Sequence, residues 1–184
     1  MTFGLIRRSY KFLNEYTFKK LFVALVRPHV EYAQAVWSPY YIRDIEQVEN
    51  VQRRATRQIP SLRNMTYTQR LERLKLPTLK YRRYRGDMIE TYKIMSEQNL
   101  YDTKVANMLK LKENEVLTTK PDRVHNKMLY DKNTPKKVIR INNFVNRIRK
   151  PWNELHQHVV NSPSLNTFKN RLDTWWSTQS MLYD

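Results

Sequence analysis

Two glycines in 184 residues, Gly4 and Gly86, limit what this chain can build. Tight β-hairpin turns and phosphate-cradling loops both rely on glycine, which reaches positive φ at no steric cost. A chain almost without it is pushed toward helices, and its apolar residues follow a helical period. Phe18, Leu21, Phe22, Leu25 and Val26 recur at three- and four-residue spacing. Pro28 is expected to end or kink that helix. Val30, Tyr32, Ala33, Ala35 and Val36 then resume the pattern at once. Ser38-Pro39 reads as a helix start, followed by a stripe of Ile42, Ile45, Val48, Val51, Ala55 and Ile59. Thr66 with Gln69 reads as a capping box opening a short helix through Leu74. Pro77 starts the next helix, with Leu79, Tyr81, Tyr84, Met88, Ile89, Tyr92 and Ile94 on its apolar side.

Beyond Ile94 the pattern weakens. Residues 95–115 are polar, and 116–141 mix Thr, Val and Tyr with Pro121 and Pro135. A β/loop segment near 113–141 is the expectation there. Helical spacing returns at Phe144, Val145, Ile148, Trp152 and Leu155. Ser162-Pro163 is expected to cap a last helix through Leu165, Phe168, Leu172, Trp175 and Trp176. The fold class is therefore mainly α. The expected division is a basic helical module, 1–112, and a C-terminal extension, 113–184, whose two helices pack back on it.

Apolar residues make up 40% of the chain, enough for a core. Thirty-four Lys and Arg face seventeen Asp and Glu, a net charge of +17. Such a chain usually meets a polyanion, with RNA or DNA the commonest; a solvated basic surface is the plainer alternative. The segment 43–93 carries thirteen of the basic residues, so a folded positive face fits better than a basic tail. Cysteine is absent, which excludes disulfides, thiolate zinc sites and thiol nucleophiles. No apolar run approaches the roughly 20 residues that cross a bilayer, and no membrane partner is expected. Arg7, Arg8 and Lys11 with no acid before Glu15 permit a mitochondrial presequence, but a basic first helix of the fold is the preferred reading. Nucleus or cytoplasm is the expected location.

Two arginine groups stand out. Arg53, Arg54 and Arg57 lie beside the stripe of their helix, where guanidinium groups one turn apart can meet neighbouring phosphates. The alternative is a solvated face tempered by Glu46 and Glu49, with Glu49–Arg53 an i,i+4 pair. Lys80, Arg82, Arg83 and Arg85 form the second group, with Lys93 further on. Tyr81, Tyr84, Met88 and Tyr92 are expected inside, leaving Arg82, Arg85 and Lys93 outside. Gly86 in that helix costs about 1 kcal/mol relative to alanine, which close packing would offset. Arg85-Gly86-Asp87 spells an adhesion tripeptide, discounted inside a helix.

Other signals are weaker. Asp44, Glu46 and Glu49 read as ion-pairing acids. His156 and His158, placed on one strand face, do not make a metal site; no metal or cofactor is expected. Asn64-Met65-Thr66 matches a glycosylation sequon by pattern only. Trp37 and Trp152 are expected in the core. Trp175 and Trp176 must point different ways on one helix.

Several blocks in order, GLIRRSYKFLN (4–14), LVRPHVEYAQAVWSP (25–39), DIEQVENVQRRATRQIPSLRNMTYTQRLERLKLPTL (44–79), YRRYRGDMIETYKI (81–94) and NNFVNRIRKPWNELHQHVVNSPSLNTFKNRLDTWW (142–176), resemble the region after the palm in reverse transcriptases of non-LTR retrotransposons of the jockey type. Residues 95–140 match poorly. Leu155-His156 departs from a common Leu-Pro. The resemblance implies a helical thumb plus C-terminal extension that grips template–primer. The palm's Tyr/Phe-x-Asp-Asp box is absent, and no Asp-Asp pair occurs. Two-metal nucleotidyl transfer needs such carboxylates, so no enzyme activity is expected. The implied partners are RNA, DNA or an RNA–DNA hybrid, held through phosphates. A scaffold docking on a palm domain of another chain, or an expressed fragment without selected function, are the alternatives.

Overall fold

The structure, a computed structural model, describes residues 14–96, 109, 125–129, 138–177 and 183. These are mainly helical, with no strand among the described residues. Most of the segment expected as β/loop, and the expected 112/113 boundary, lie outside the described residues. The part of that segment at 138–141 is helix rather than strand or loop.

Helix α1, Glu15–Leu21, is capped by the Asn14 side chain, which accepts the Thr17 N–H at 2.8 Å. A π-helical stretch, Phe22–Val26, follows, and then α2, Arg27–Glu31. Pro28 explains the wide turn. It has no N–H, and its ring would collide with the carbonyl four residues earlier. The turn before it widens, and the Arg27 N–H reaches back to the Phe22 carbonyl. The helix is thus neither ended nor broken at Pro28. The break comes at Tyr32 and Ala33, with Ala33 left-handed at φ 51°. Helix α3, Gln34–Trp37, is a single turn with no buried residue. Trp37, expected in the core, is 39% exposed, its indole N–H donating to the Tyr32 carbonyl.

Ser38-Pro39 does not cap the next helix. Helix α4, Ile42–Thr56, starts three residues later from an extended Tyr41. The predicted aliphatic stripe is buried only at its end, Ala55 and Ile59, and polar side chains take the rest of the inner face. Glu49, Gln52, Ala55 and Thr56 are buried, while Ile42 and Val51 are exposed. A short 3₁₀ turn, Pro60–Leu62, leads to α5, Tyr67–Leu74. The capping box forms as read: Thr66 Oγ1 accepts the Gln69 N–H at 3.3 Å, and Gln69 Oε1 accepts the Thr66 N–H at 2.9 Å. Lys75, left-handed at φ 51°, ends α5, and the Leu76 N–H returns to the Leu71 carbonyl at 3.0 Å.

Helix α6, Leu79–Met95, opens at Thr78, whose hydroxyl accepts the Tyr81 N–H at 3.1 Å. The chain divides into two compact units, Met1–Arg83 with Ser180–Asp184, and Tyr84–Gln179; α6 gives residues to both. The first unit buries Phe18, Phe22, Val26, Ala55, Ile59, Leu62, Leu71, Leu74 and Leu76 together, with Tyr183 packed at their edge. The Phe18 and Phe22 rings stack at 5.5 Å.

In the second unit, the continuous helix expected over 144–155 is two short ones, α8, Phe144–Arg147, and α9, Arg149–Asn153, following α7, Val138–Ile141. Ile148, Trp152 and Leu155 are buried as read. Helix α10, Gln157–Val160, is capped by the His156 ring, so His156 and His158 flank a helix start, not a strand. Helix α11, Leu165–Ser177, begins at Ser164, which accepts the Thr167 N–H at 3.2 Å. Ser162, expected as that cap, instead donates to the Val159 carbonyl, and its own carbonyl accepts the Tyr92 hydroxyl at 2.6 Å. Tyr92 stacks on Phe168 at 4.3 Å. Trp176 is buried and Trp175 only partly so, facing different ways as helical spacing requires.

Candidate nucleic-acid interface

The second arginine group is largely committed to the fold. Arg82 grips Glu31 with two bonds of 2.8 Å, and Arg27 joins the same carboxylate at 3.1 Å. Arg85 grips Asp173 at 2.6 and 2.8 Å. Arg83 is buried. Lys93 pairs with Glu90 at 3.2 Å. The expectation that Arg82 and Arg85 point to water is thus corrected: side chains off the apolar stripe still reach acids brought in from other elements. Lys80, in the first turn of α6, is exposed. Asp87 of the Arg-Gly-Asp tripeptide is buried and held by Arg147 through two bonds of 2.9 Å. Tyr84, expected inside, is 40% exposed.

The first group differs. Arg53, Arg54 and Arg57 are all exposed on the last turns of α4. Arg53 does not take Glu49. It donates to Asn50 Oδ1 at 2.8 Å, and its guanidinium lies 5.1 Å from the centre of the Tyr67 ring. Arg54 and Arg57 make no hydrogen bond or ion pair among the described residues. Three basic groups at a helix C-terminus suit its negative dipole end, yet their outer faces remain open to an anion.

Glu49 has a different task from the ion pairing expected. It is buried and accepts the backbone N–H groups of Leu79 and Lys80 at 3.1 and 3.0 Å, together with the Tyr67 hydroxyl. Burial, followed by the Glu49 charge, holds the Tyr67 phenol far above its ordinary pKa, so it stays a donor. Gln52 donates to the Tyr67 oxygen at 3.2 Å and to the Pro77 carbonyl at 2.9 Å. These bonds fix α5 and the start of α6 against α4.

Sequence reading missed Arg70. Tyr67, Arg70, Leu71 and Leu74 share one face of α5, so a cation stands in an apolar stripe; that was the available signal. Arg70 is 5% exposed. Its Nε donates to Thr56 Oγ1 at 3.2 Å and its Nη1 to the Met65 carbonyl at 3.0 Å. Its guanidinium lies 5.7 Å from the same Tyr67 ring that Arg53 covers. Burial first, then the Arg57 and Arg53 charges, lower its pKa.

No protein-family model, curated protein or solved structure matches this chain. Among the described residues no three His, Cys, Asp or Glu side chains are grouped to hold a metal ion. No helix among them is long and apolar enough to cross a membrane.

Proposed function

We propose that the chain is a non-catalytic module that grips nucleic acid, akin to the thumb and C-terminal extension of a non-LTR retrotransposon reverse transcriptase. The observation that carries this reading is the open face of Arg53, Arg54 and Arg57 on α4, in a chain of net charge +17. Exposed guanidinium groups without carboxylate partners suit phosphate oxygens, which any sequence presents. Lys80 is a further exposed cation in the same unit. Arg82 and Arg85 serve this function by holding the fold, through Glu31 and Asp173. The test is binding of purified protein to random-sequence DNA duplex, RNA and RNA–DNA hybrid. Affinity should fall by about a thousandfold or more between 50 and 200 mM salt if six or more phosphates are contacted. Absence of binding at 50 mM salt, or binding indifferent to salt, sinks the reading.

A second reading, a scaffold that docks on a palm domain of another chain, is favoured by a separate observation. Tyr32, Val36, Trp37, Tyr41 and Ile42 are exposed within eleven residues of sequence, Val36 at 86%. Apolar surface concentrated in this way often marks a protein contact. Replacing Val36 and Ile42 by serine should raise solubility on this reading and leave nucleic-acid affinity unchanged.

A further inference from the structure

We propose that Arg70, together with Arg53 and Arg57, forms a binding site for a phosphate oxyanion. The inference rests on the nucleic-acid reading above and deepens it, placing one phosphate among three named arginines rather than on a diffuse positive face. The central observation is Arg70 itself. At 5% exposure it is among the least accessible charged groups described. Buried arginines are normally paired with an anion, because an uncompensated buried charge is costly. Arg70 instead bonds two neutral oxygens, Thr56 Oγ1 and the Met65 carbonyl. No carboxylate among the described residues pairs with it, and its Nη2 makes no hydrogen bond among them.

The neighbours add charge of the same sign. Arg53 and Arg70 both approach the Tyr67 ring, at 5.1 and 5.7 Å, and both Arg57 and Arg53 act on Arg70 as repelling cations. Like charges held together disfavour the empty state, and an oxyanion among them adds an attraction to each cation that offsets their mutual repulsion. A tetrahedral phosphate offers enough oxygens for donors arriving from both α4 and α5, whereas a planar carboxylate offers two. The site is also held in place. Tyr67 is fixed by Glu49 and Gln52, and Thr56 anchors the Arg70 fork. The ordering left to be done on binding falls on the exposed Arg53 and Arg57 side chains.

The phosphate can belong to a nucleic-acid backbone or be free, and two measurements on the full chain separate these sources. The first is affinity for a labelled random-sequence duplex as a function of salt. The second is the thermal midpoint in inorganic phosphate against sodium chloride of equal ionic strength. Arg53→Gln, Arg57→Gln and Arg70→Lys are compared with Arg63→Gln, an exposed arginine elsewhere in the same unit. Losing one charge-assisted bond should weaken duplex binding by about tenfold, and the two glutamine variants, which remove a charge, should flatten the salt slope by about one unit. Arg63→Gln should change affinity less than twofold, roughly the effect of a diffuse surface charge. Phosphate should raise the midpoint of the unmodified chain, and the cluster variants should lose that rise. Duplex binding by the cluster variants no weaker than by Arg63→Gln overturns the site and leaves the nucleic-acid reading intact. Phosphate stabilisation without duplex binding keeps the site and sinks that reading. Neither response sinks both. Should Arg70→Lys fail to fold, the two exposed positions, Arg53 and Arg57, decide the matter.

Discussion

Glu49 on α4 closes the N-terminus of α6 thirty residues away, its carboxylate accepting the N–H groups of Leu79 at 3.1 Å and Lys80 at 3.0 Å. The first N–H groups of a helix have no partner within it, and here a buried side chain from another helix supplies one. Removing it strands those donors and the Tyr67 hydroxyl in a dry environment. Glu49→Ala should therefore cost about 3 kcal/mol or more in urea unfolding. Glu49→Gln, which keeps one acceptor oxygen, should cost clearly less. Equal losses in the two variants would mean that the cap is not what stabilises this junction.

The bidentate ion pairs should differ in worth according to burial. Asp87 has a 5% exposed side chain and is held by Arg147, whereas Asp173, which meets Arg85, is 45% exposed. Arg147→Ala leaves a buried carboxylate without its cation, a change that usually costs about 3–5 kcal/mol. Arg85→Ala leaves a carboxylate that water can reach, at a cost of about 1 kcal/mol or less. Denaturant midpoints of the two variants give the comparison. If Arg85→Ala proves the more damaging, the burial argument fails.

What could be read from sequence was what depends on neighbours in sequence. The Thr66–Gln69 box, the helix that follows it, and the buried Ile148, Trp152 and Leu155 are local signals with local causes. The α4 face was misread because buried polar side chains carry no periodic mark. Glu49 and Gln52 look like solvent-facing residues until α5 and α6 bring Tyr67, Leu79 and Pro77 to them. Arg82 and Arg85 were misjudged for the same reason, since Glu31 and Asp173 lie 51 and 88 residues away. The open group of Arg53, Arg54 and Arg57 was legible; a cation in the apolar stripe of α5 marked Arg70, but its partner Thr56 comes from another helix.

Two aromatics on apolar stripes should part company under truncation. Trp152 is fully buried, its indole N–H donating to the Lys127 carbonyl at 2.9 Å, while Tyr84 is 40% exposed. Trp152→Ala should destabilise by about 3–5 kcal/mol. Tyr84→Ala should stay within about 1 kcal/mol, as for most surface replacements. Thermal and denaturant unfolding report both, and a silent Trp152→Ala would contradict the core assigned to the second unit.

His125 links stability to pH. Its ring is buried edge-on to Trp152 at 5.9 Å, with Nε2 bonded to the Trp152 carbonyl at 3.0 Å and Nδ1 accepting the Lys127 N–H at 3.2 Å. Burial, the largest cause, lowers its pKa; the bond to the Trp152 carbonyl opposes this, and Lys127 adds to it. The folded protein therefore holds the proton less tightly than the unfolded chain, where a histidine titrates near about 6.5. The contribution of neutral His125 is complete above that value and is lost as pH falls below it, through the lower folded pKa. A protonated ring would also lose Nδ1 as an acceptor. Unfolding free energy should therefore decline from pH 7 to pH 5 more steeply in the unmodified chain than in His125→Gln, which cannot titrate. The comparison isolates one residue, because the remaining histidines and acids are common to both proteins. Parallel pH profiles would show that His125 is protonated as readily in the folded chain as in the unfolded one.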